Sequence, residues 1–370
     1  MKFVKTADLK IGMRLAKPIY NKKGVLLYDR NSKLTQQGIE SVKNFHLIGI
    51  FVLEPAEPLP PVSEEDLEFE KFQMVSVYSV EDEMQSILTK GKNIKIYSFA
   101  ETILSKYGHL DHKINFIQNL RSGEDFVYKH SLNVAILAAM IANKMNMRGQ
   151  ESTETVVAAL VHDLGKLRCP TELLVKEDIT PEEEQMLITS EYSGIASIEA
   201  AFASTPSIKR MVMQTFKRLE CMRKGETPED TKIVKGAKVL TVAECYDRMT
   251  AISSTGEPHS ELAAIKHMQS LPQIFDPEAV KALIDSINLL TEGVCVELSN
   301  GEKALVISQN EDNILLPMLL CFSTNTIIDL AQTAIYGGIE IVDVMKTLDN
   351  RYVMKDDVRE NDSNASENPQ

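Results

Sequence analysis

Residues 156–168 read VVAALVHDLGKLR, an apolar run that ends in an adjacent imidazole and carboxylate, His162-Asp163, with Gly165-Lys166 directly after. A run of this kind belongs inside a core, and that makes the carboxylate expensive. Asp is among the residues least often buried without a partner. If VVAALV is a core helix, Asp163 needs a cation nearby, either a metal ion or Lys166. A plainer reading ends the helix at Gly165 and leaves His162 and Asp163 capping it or in water. The pair alone favours the plainer reading. The apolar run, the HDLGK string and the earlier His130 together favour a metal site held from two sides.

The rest of the chain sets that stretch in a helical frame. From about residue 80 to about 290 apolar residues recur three and four apart, as in "IYSFAETILSKY", "DFVYKHSLNVAILAAMIANKMN" and "SIKRMVMQTFKRLECMRKGE". "ESTETVVAALVHDLGK" opens with Ser152 and Thr153, either of which suits a helix cap. Thr180-Pro181 with three glutamates is a sound helix start. The expected fold is mainly α: a helical bundle of 73–290, with a small N-terminal α+β domain of 1–53 and a small β appendage of 291–354. In the first, Thr35 suits the cap of a helix over 35–45, and LIGIFVLE suits a closing strand. Residues 54–72 begin EPAEPLPPVSEEDLE, rich in proline and acid, and read as an extended linker. In the appendage Asn300-Gly301 marks a hairpin. The tail from Lys355 to residue 370 has almost no apolar residue and is expected to be disordered.

Composition excludes some functions. The net charge of −13 argues against a nucleic-acid surface, which is basic. No apolar stretch approaches the roughly 20 residues that span a bilayer, and the first residues lack a signal-peptide core. Five scattered cysteines suit reduced thiols in a cytoplasm. No nucleic acid, no membrane and a cytoplasmic location are therefore expected.

His130, then His162-Asp163, then Glu244 and Asp247 on VAECYDRMTA resemble the ordered His, His-Asp and Asp set of the HD superfamily of metal-dependent phosphohydrolases. The strings "FVYKHSLNVA", "HDLGK", "ITPEEEQMLITSEYSG", "VLTVAECYDRMTA" and "IFDPEAV" bring the resemblance to the HD-GYP family, whose members hydrolyse cyclic di-GMP at a site with two or three metals, often iron or manganese. The flanking "LKIGMRLAKPIYNKKGVLL" and "GVCVELSNGEKALVI" resemble segments common beside such domains. The resemblance implies His130, His162, Asp163 and Glu244 as ligands of a divalent metal, and Asp163 with Lys166 as the catalytic pair, the lysine assisting a phosphate. Lys166 as a salt bridge to Asp163 is the structural alternative.

The departures from the family decide the expected function. Ser190-Glu191 stands where the family has His-Pro. Thr215, Phe216 and Lys217 replace the His-His-Glu run, and the Gly-Tyr-Pro loop is absent. Neither a threonine hydroxyl nor a phenyl ring replaces imidazole as a transition-metal ligand. The chain is thus identified as a reduced HD-GYP member with one metal ion or none. The expected role is a non-catalytic signalling module that binds cyclic di-GMP or a related dinucleotide, a protein partner, or a second copy of itself. The alternative is a one-metal phosphohydrolase acting on cyclic di-GMP or a similar ester.

Overall fold

The structure, a computed structural model, describes residues 2–20, 25–44, 49–53, 63–176, 178–229, 232–253, 259–310 and 313–344. It divides into two compact units. One holds residues up to 259 together with 264–287, and the other holds 260–263 and residues from 288 on.

The first unit begins with a small lobe of strands and one helix. Strands β1 (Lys2–Lys5), β2 (Arg14–Leu15) and β5 (Gly49–Leu53) form an antiparallel sheet in the order β1-β5-β2, and β3 (Ile19–Tyr20) pairs with β4 (Leu26–Tyr28). Helix α1 (Gln36–Asn44) begins where Thr35 accepts from the Gly38 amide at 3.0 Å, and Leu15, Leu34 and Val42 fill the lobe's core.

Helix α2 runs from Glu64 to Lys90, well ahead of the helical onset expected near residue 80. It starts inside the stretch read as an extended linker, and that reading is corrected from Ser63 on. Ser63 and Asp66 cap each other's backbone, at 3.0 Å and 3.2 Å. The acids that suggested an extended chain sit in the first turn, where the helix dipole favours negative charge. Phe69 and Glu70 are already buried. The proline-rich 54–62 lies outside the described residues.

The bundle follows as α3 (Ile96–Tyr107), α4 (Phe126–Lys144), α5 (Gln150–Val161), α6 (Pro181–Ser193), α7 (Ile195–Ala201), α8 (Pro206–Lys224), α9 (Lys235–Thr250), α10 (Glu261–Ser270) and α11 (Pro277–Ile284). Helix α4 packs against α5 and α9, and α8 packs against the same two. Sixteen of the nineteen residues of α4 are buried, so this helix is central to the bundle. Helix α5 is capped by Gly149, with Ser152 and Thr153 inside its first turns rather than at its cap. Helix α6 does start at Pro181 as expected, and Thr180 and Glu183 form a capping box there. A short parallel pair, β6 (Leu120–Arg121) with β7 (Ile252–Ser253), ties the approach to α4 to the end of α9.

The second unit carries an antiparallel five-stranded sheet, β11-β10-β9-β8-β12: β8 (Cys295–Leu298), β9 (Lys303–Ser308), β10 (Met318–Cys321), β11 (Ile327–Asp329) and β12 (Ile341–Val344), with α12 (Thr333–Tyr336) before the last strand. Asn300-Gly301 turns β8 into β9, with Gly301 at φ 81°, a conformation glycine adopts without strain. The tail expected to be disordered lies outside the described residues. Among the described residues no helix is long and apolar enough to cross a membrane.

Candidate metal centre

His130 projects from the second turn of α4. His162 ends α5, and Asp163 leads into a 3-10 turn, Leu164–Arg168, so the HDLGK string is a tight turn rather than a helical end at Gly165. The turn is tight for a steric reason. A Cβ on Gly165 would lie 1.9 Å from the Ser190 carbonyl oxygen and 2.7 Å from the Gly194 amide nitrogen, so the backbones of the turn and the end of α6 meet directly. All three side chains are fully buried.

Their donor atoms converge. One ligand atom from each of His130, His162 and Asp163 lies within 4.8 Å of the others. His130 Nε2 and His162 Nε2 face each other at 3.3 Å. The other ring nitrogens fix the tautomers. His130 Nδ1 lies 2.6 Å from Asp247 Oδ2, and His162 Nδ1 lies 2.7 Å from the Ala159 carbonyl. Both Nδ1 atoms therefore carry protons, and both Nε2 lone pairs point inward, the orientation that metal-bound imidazoles take when a carboxylate or carbonyl holds the far nitrogen. Asp163 Oδ1 is buried without a hydrogen bond. Two imidazole lone pairs and this carboxylate, whose Oδ1 also lies 3.0 Å from the Lys166 ammonium, are a donor set that fits one divalent transition metal. The burial of His130 pushes its pKa down to about 4, against the lift from Asp247 and Asp163.

Glu244, expected as a fourth donor, is not among the converging atoms. It is buried on α9, but its Oε1 accepts from Arg248 Nε at 2.7 Å and from Nη2 as well. The same guanidinium lies 3.7 Å from Asp163 Oδ2. Lys166 is likewise committed. Its Nζ lies 3.0 Å from Asp163 and 2.9 Å from Glu191 Oε1, the salt bridge given above as the structural alternative. Glu191 also takes two hydrogen bonds from Arg223, at 3.3 Å and 2.9 Å.

Behind His130, Asp247 Oδ1 accepts from Arg121 Nη2 at 2.6 Å, Asn133 at 3.0 Å and Gln118 at 3.1 Å. Arg121 is fully buried, rests over the Phe126 ring at 5.6 Å, and is placed there by the β6–β7 pair. Burial opposes the charges on Asp163 and Asp247, yet Lys166 beside the first and Arg121 beside the second hold both carboxyls below the usual range. The centre thus sets four carboxylates, Asp163, Glu191, Glu244 and Asp247, against four cations, Arg121, Lys166, Arg223 and Arg248.

Of the positions where the resemblance expects further ligands, Thr215 and Phe216 are buried, Ser190 is half-buried and Lys217 is exposed. Thr215 is buried, its hydroxyl 3.4 Å from the Ala237 carbonyl and from Thr241. Phe216 packs edge-on against Tyr192 at 5.6 Å. Ser190 accepts from the Cys169 thiol at 3.0 Å. His109, His112 and His259 are exposed. Sequence reasoning missed Arg248, Glu191, Arg223 and Arg121. Only Arg248 had a local signal, four residues after Glu244 on one helix face.

Comparisons with known proteins find similarity over the same segment. The HD domain family model matches residues 127–249, which span the converging triad and α9. A cyclic di-GMP phosphodiesterase of Pseudomonas aeruginosa is 21% identical over 204 residues, 55% of this chain and 49% of that protein. Cyclic di-GMP phosphodiesterase PdeB of Borreliella burgdorferi is 25% identical over 197 residues, 51% of this chain and 50% of that protein. The chain spans about half the length of the curated relatives it matches. A solved HDG"Y"P protein from Bdellovibrio bacteriovorus aligns with 77% of this chain and 98% of its own, at 13% identity and a TM-score of 0.47. The chain thus carries an HD domain over residues 127–249, and its similarity to known proteins extends to cyclic di-GMP phosphodiesterases.

Proposed function

We propose that this chain is a cyclic-dinucleotide signalling protein whose HD-type site no longer hydrolyses its ligand with a two-metal mechanism, and that it acts as a binding or regulatory module. The ligand class follows from relatives that are cyclic di-GMP phosphodiesterases. The observation that carries the loss of turnover is the internal pairing of the acids: Lys166 bridges Asp163 and Glu191, and Arg248 takes Glu244. A two-metal site stabilises both the attacking and the leaving oxygen of a displacement. Here the second set of ligands is replaced by Thr215 and Phe216, both in the core. Five buried, unpaired thiols fit action in the reducing cytoplasm. A protein partner or a second copy of the chain would receive the signal.

A second reading, a one-metal phosphohydrolase, rests on the two inward Nε2 atoms and Asp163. Iron or manganese suits those donors and, when bound, would polarise a phosphoryl oxygen and acidify a bound water. In either reading Asp247 holds the proton of His130 at Nδ1, Ala159 does so for His162, and the buried walls exclude bulk water.

The test is a cyclic di-GMP titration by calorimetry beside a turnover assay with Mn²⁺ or Fe²⁺. Binding without turnover is the expected result. Multiple turnovers per chain that His162→Ala abolishes would replace the module with an enzyme.

A further inference from the structure

Arg248 holds an unusual place. Its guanidinium sits between the carboxylates of Glu244 and Asp163, hydrogen-bonded to the first and 3.7 Å from the second. Those carboxylates are 3% and 1% exposed, while the arginine side chain is 38% exposed. The cation thus reaches the buried acids from the solvent side on a stem that solvent already touches. A guanidinium placed so does electrostatically what a divalent ion would do there: it neutralises Glu244 and faces Asp163. Its Nε and Nη2 both donate to the same oxygen, Glu244 Oε1, and Glu244 is not among the converging donors.

We propose that Arg248 is a built-in competitor for the metal, which reduces a potential four-donor site to three donors, and that removing it recruits Glu244. This inference rests on the reading of a reduced site and names the residue that keeps it reduced. Without the guanidinium, the centre would hold one more carboxylate than cations. Glu244 would be a buried anion without its partner, a state that a divalent ion relieves. Lys166 would not relieve it, because it is already shared by Asp163 and Glu191.

The experiment is a titration of the full chain with MnCl₂ alone, followed by calorimetry and by the EPR signal of free Mn²⁺. Arg248→Ala is expected to bind Mn²⁺ at least about tenfold more tightly than the parent, the scale on which a ligand's surroundings tune metal affinity. Adding Glu244→Gln to that variant is expected to return the affinity to the parent's, and Arg248→Lys to keep it near the parent's. Arg248→Met retains the apolar stem and serves if the alanine variant does not fold. Equal affinity of parent and Arg248→Met would overturn the proposal. So would a gain that survives Glu244→Gln, because charge relief alone would then explain it. The readout is independent of turnover. Hydrolysis by the parent would sink the reduced-site reading, and a flat titration would sink only the role of Arg248.

Discussion

His130 shows how one side chain's surroundings set its chemistry. Its ring is fully buried, stacked on Phe126 at a centroid distance of 5.7 Å, and donates to Asp247. Burial keeps it neutral to a pKa of about 4, against 6.5 in an unfolded chain. Below pH 6.5 the unfolded state takes up a proton that the folded state refuses, so stability falls as pH falls from about 6.5 to about 4. At about 1.4 kcal/mol per pH unit the loss is about 3 kcal/mol across that window. Asp163 and Asp247, held below the usual carboxylate range, stay ionised there in the folded protein and do not oppose it. Urea unfolding of the metal-free protein at pH 7 and pH 4.5 should show this loss, and His130→Asn should flatten it. An equal pH dependence in parent and variant would assign the effect elsewhere. At the same scale, His162-Asp163 was legible in the sequence as a buried pair in need of a cation. Which cation answered it was not, because Lys166, Arg248 and a metal all meet the same electrostatic demand.

Among elements, the junction of the 3-10 turn with α6 is the tightest near the centre. Gly165 and Gly194 bring the two backbones together, and Lys166 and Glu191 then pair just beyond. Gly165→Ala would force α6 away by ångströms, because its Cβ would meet backbone rather than a movable side-chain end. The expected cost is about 3 kcal/mol, at the upper end of ordinary overpacking, with the Lys166–Glu191 pair stretched or broken. A chemical-denaturation midpoint unchanged by this variant would show that the junction yields easily. Helix α2 teaches a different lesson at this scale. Its acidic start reads as solvated linker by composition alone. The Ser63–Asp66 capping box and the burial of Phe69 turn the same acids into a helix start. Local composition could not choose, because the choice depended on what Phe69 would pack against.

For the whole molecule, the charges tell against a metal-dependent fold. The chain carries a net −13, yet its buried centre matches four carboxylates with four cations. Each buried acid has a protein partner, so the helices do not need an ion to hold them together. A metal bound by the triad would add stability by mass action without being required. Excess EDTA is accordingly expected to leave the far-UV circular dichroism and the cooperative thermal transition intact. Loss of helix on chelation would mean that an ion, not Lys166 and Arg248, balances the centre.

The sequence by itself determined the helical frame, the β character of both flanks, the capping of α1 and α6, and the His130, His162 and Asp163 triad. Each follows from neighbours along the chain: apolar spacing, cap residues and turn signals act over a few residues, and the family order of histidines and acids needs no distances. Only the tertiary structure decided that Asp247 serves His130 across 117 residues, that Glu191 and Arg223 close around Lys166, and that Arg121 lies beneath Asp247. Partners of buried charges come from whichever helices pack together, and sequence separation carries no record of that. Glu244 and Arg248 stand between the two cases. Their spacing was local and readable, but whether the carboxylate turned to an arginine or to a metal depended on the space left between α9 and the His162-Asp163 turn.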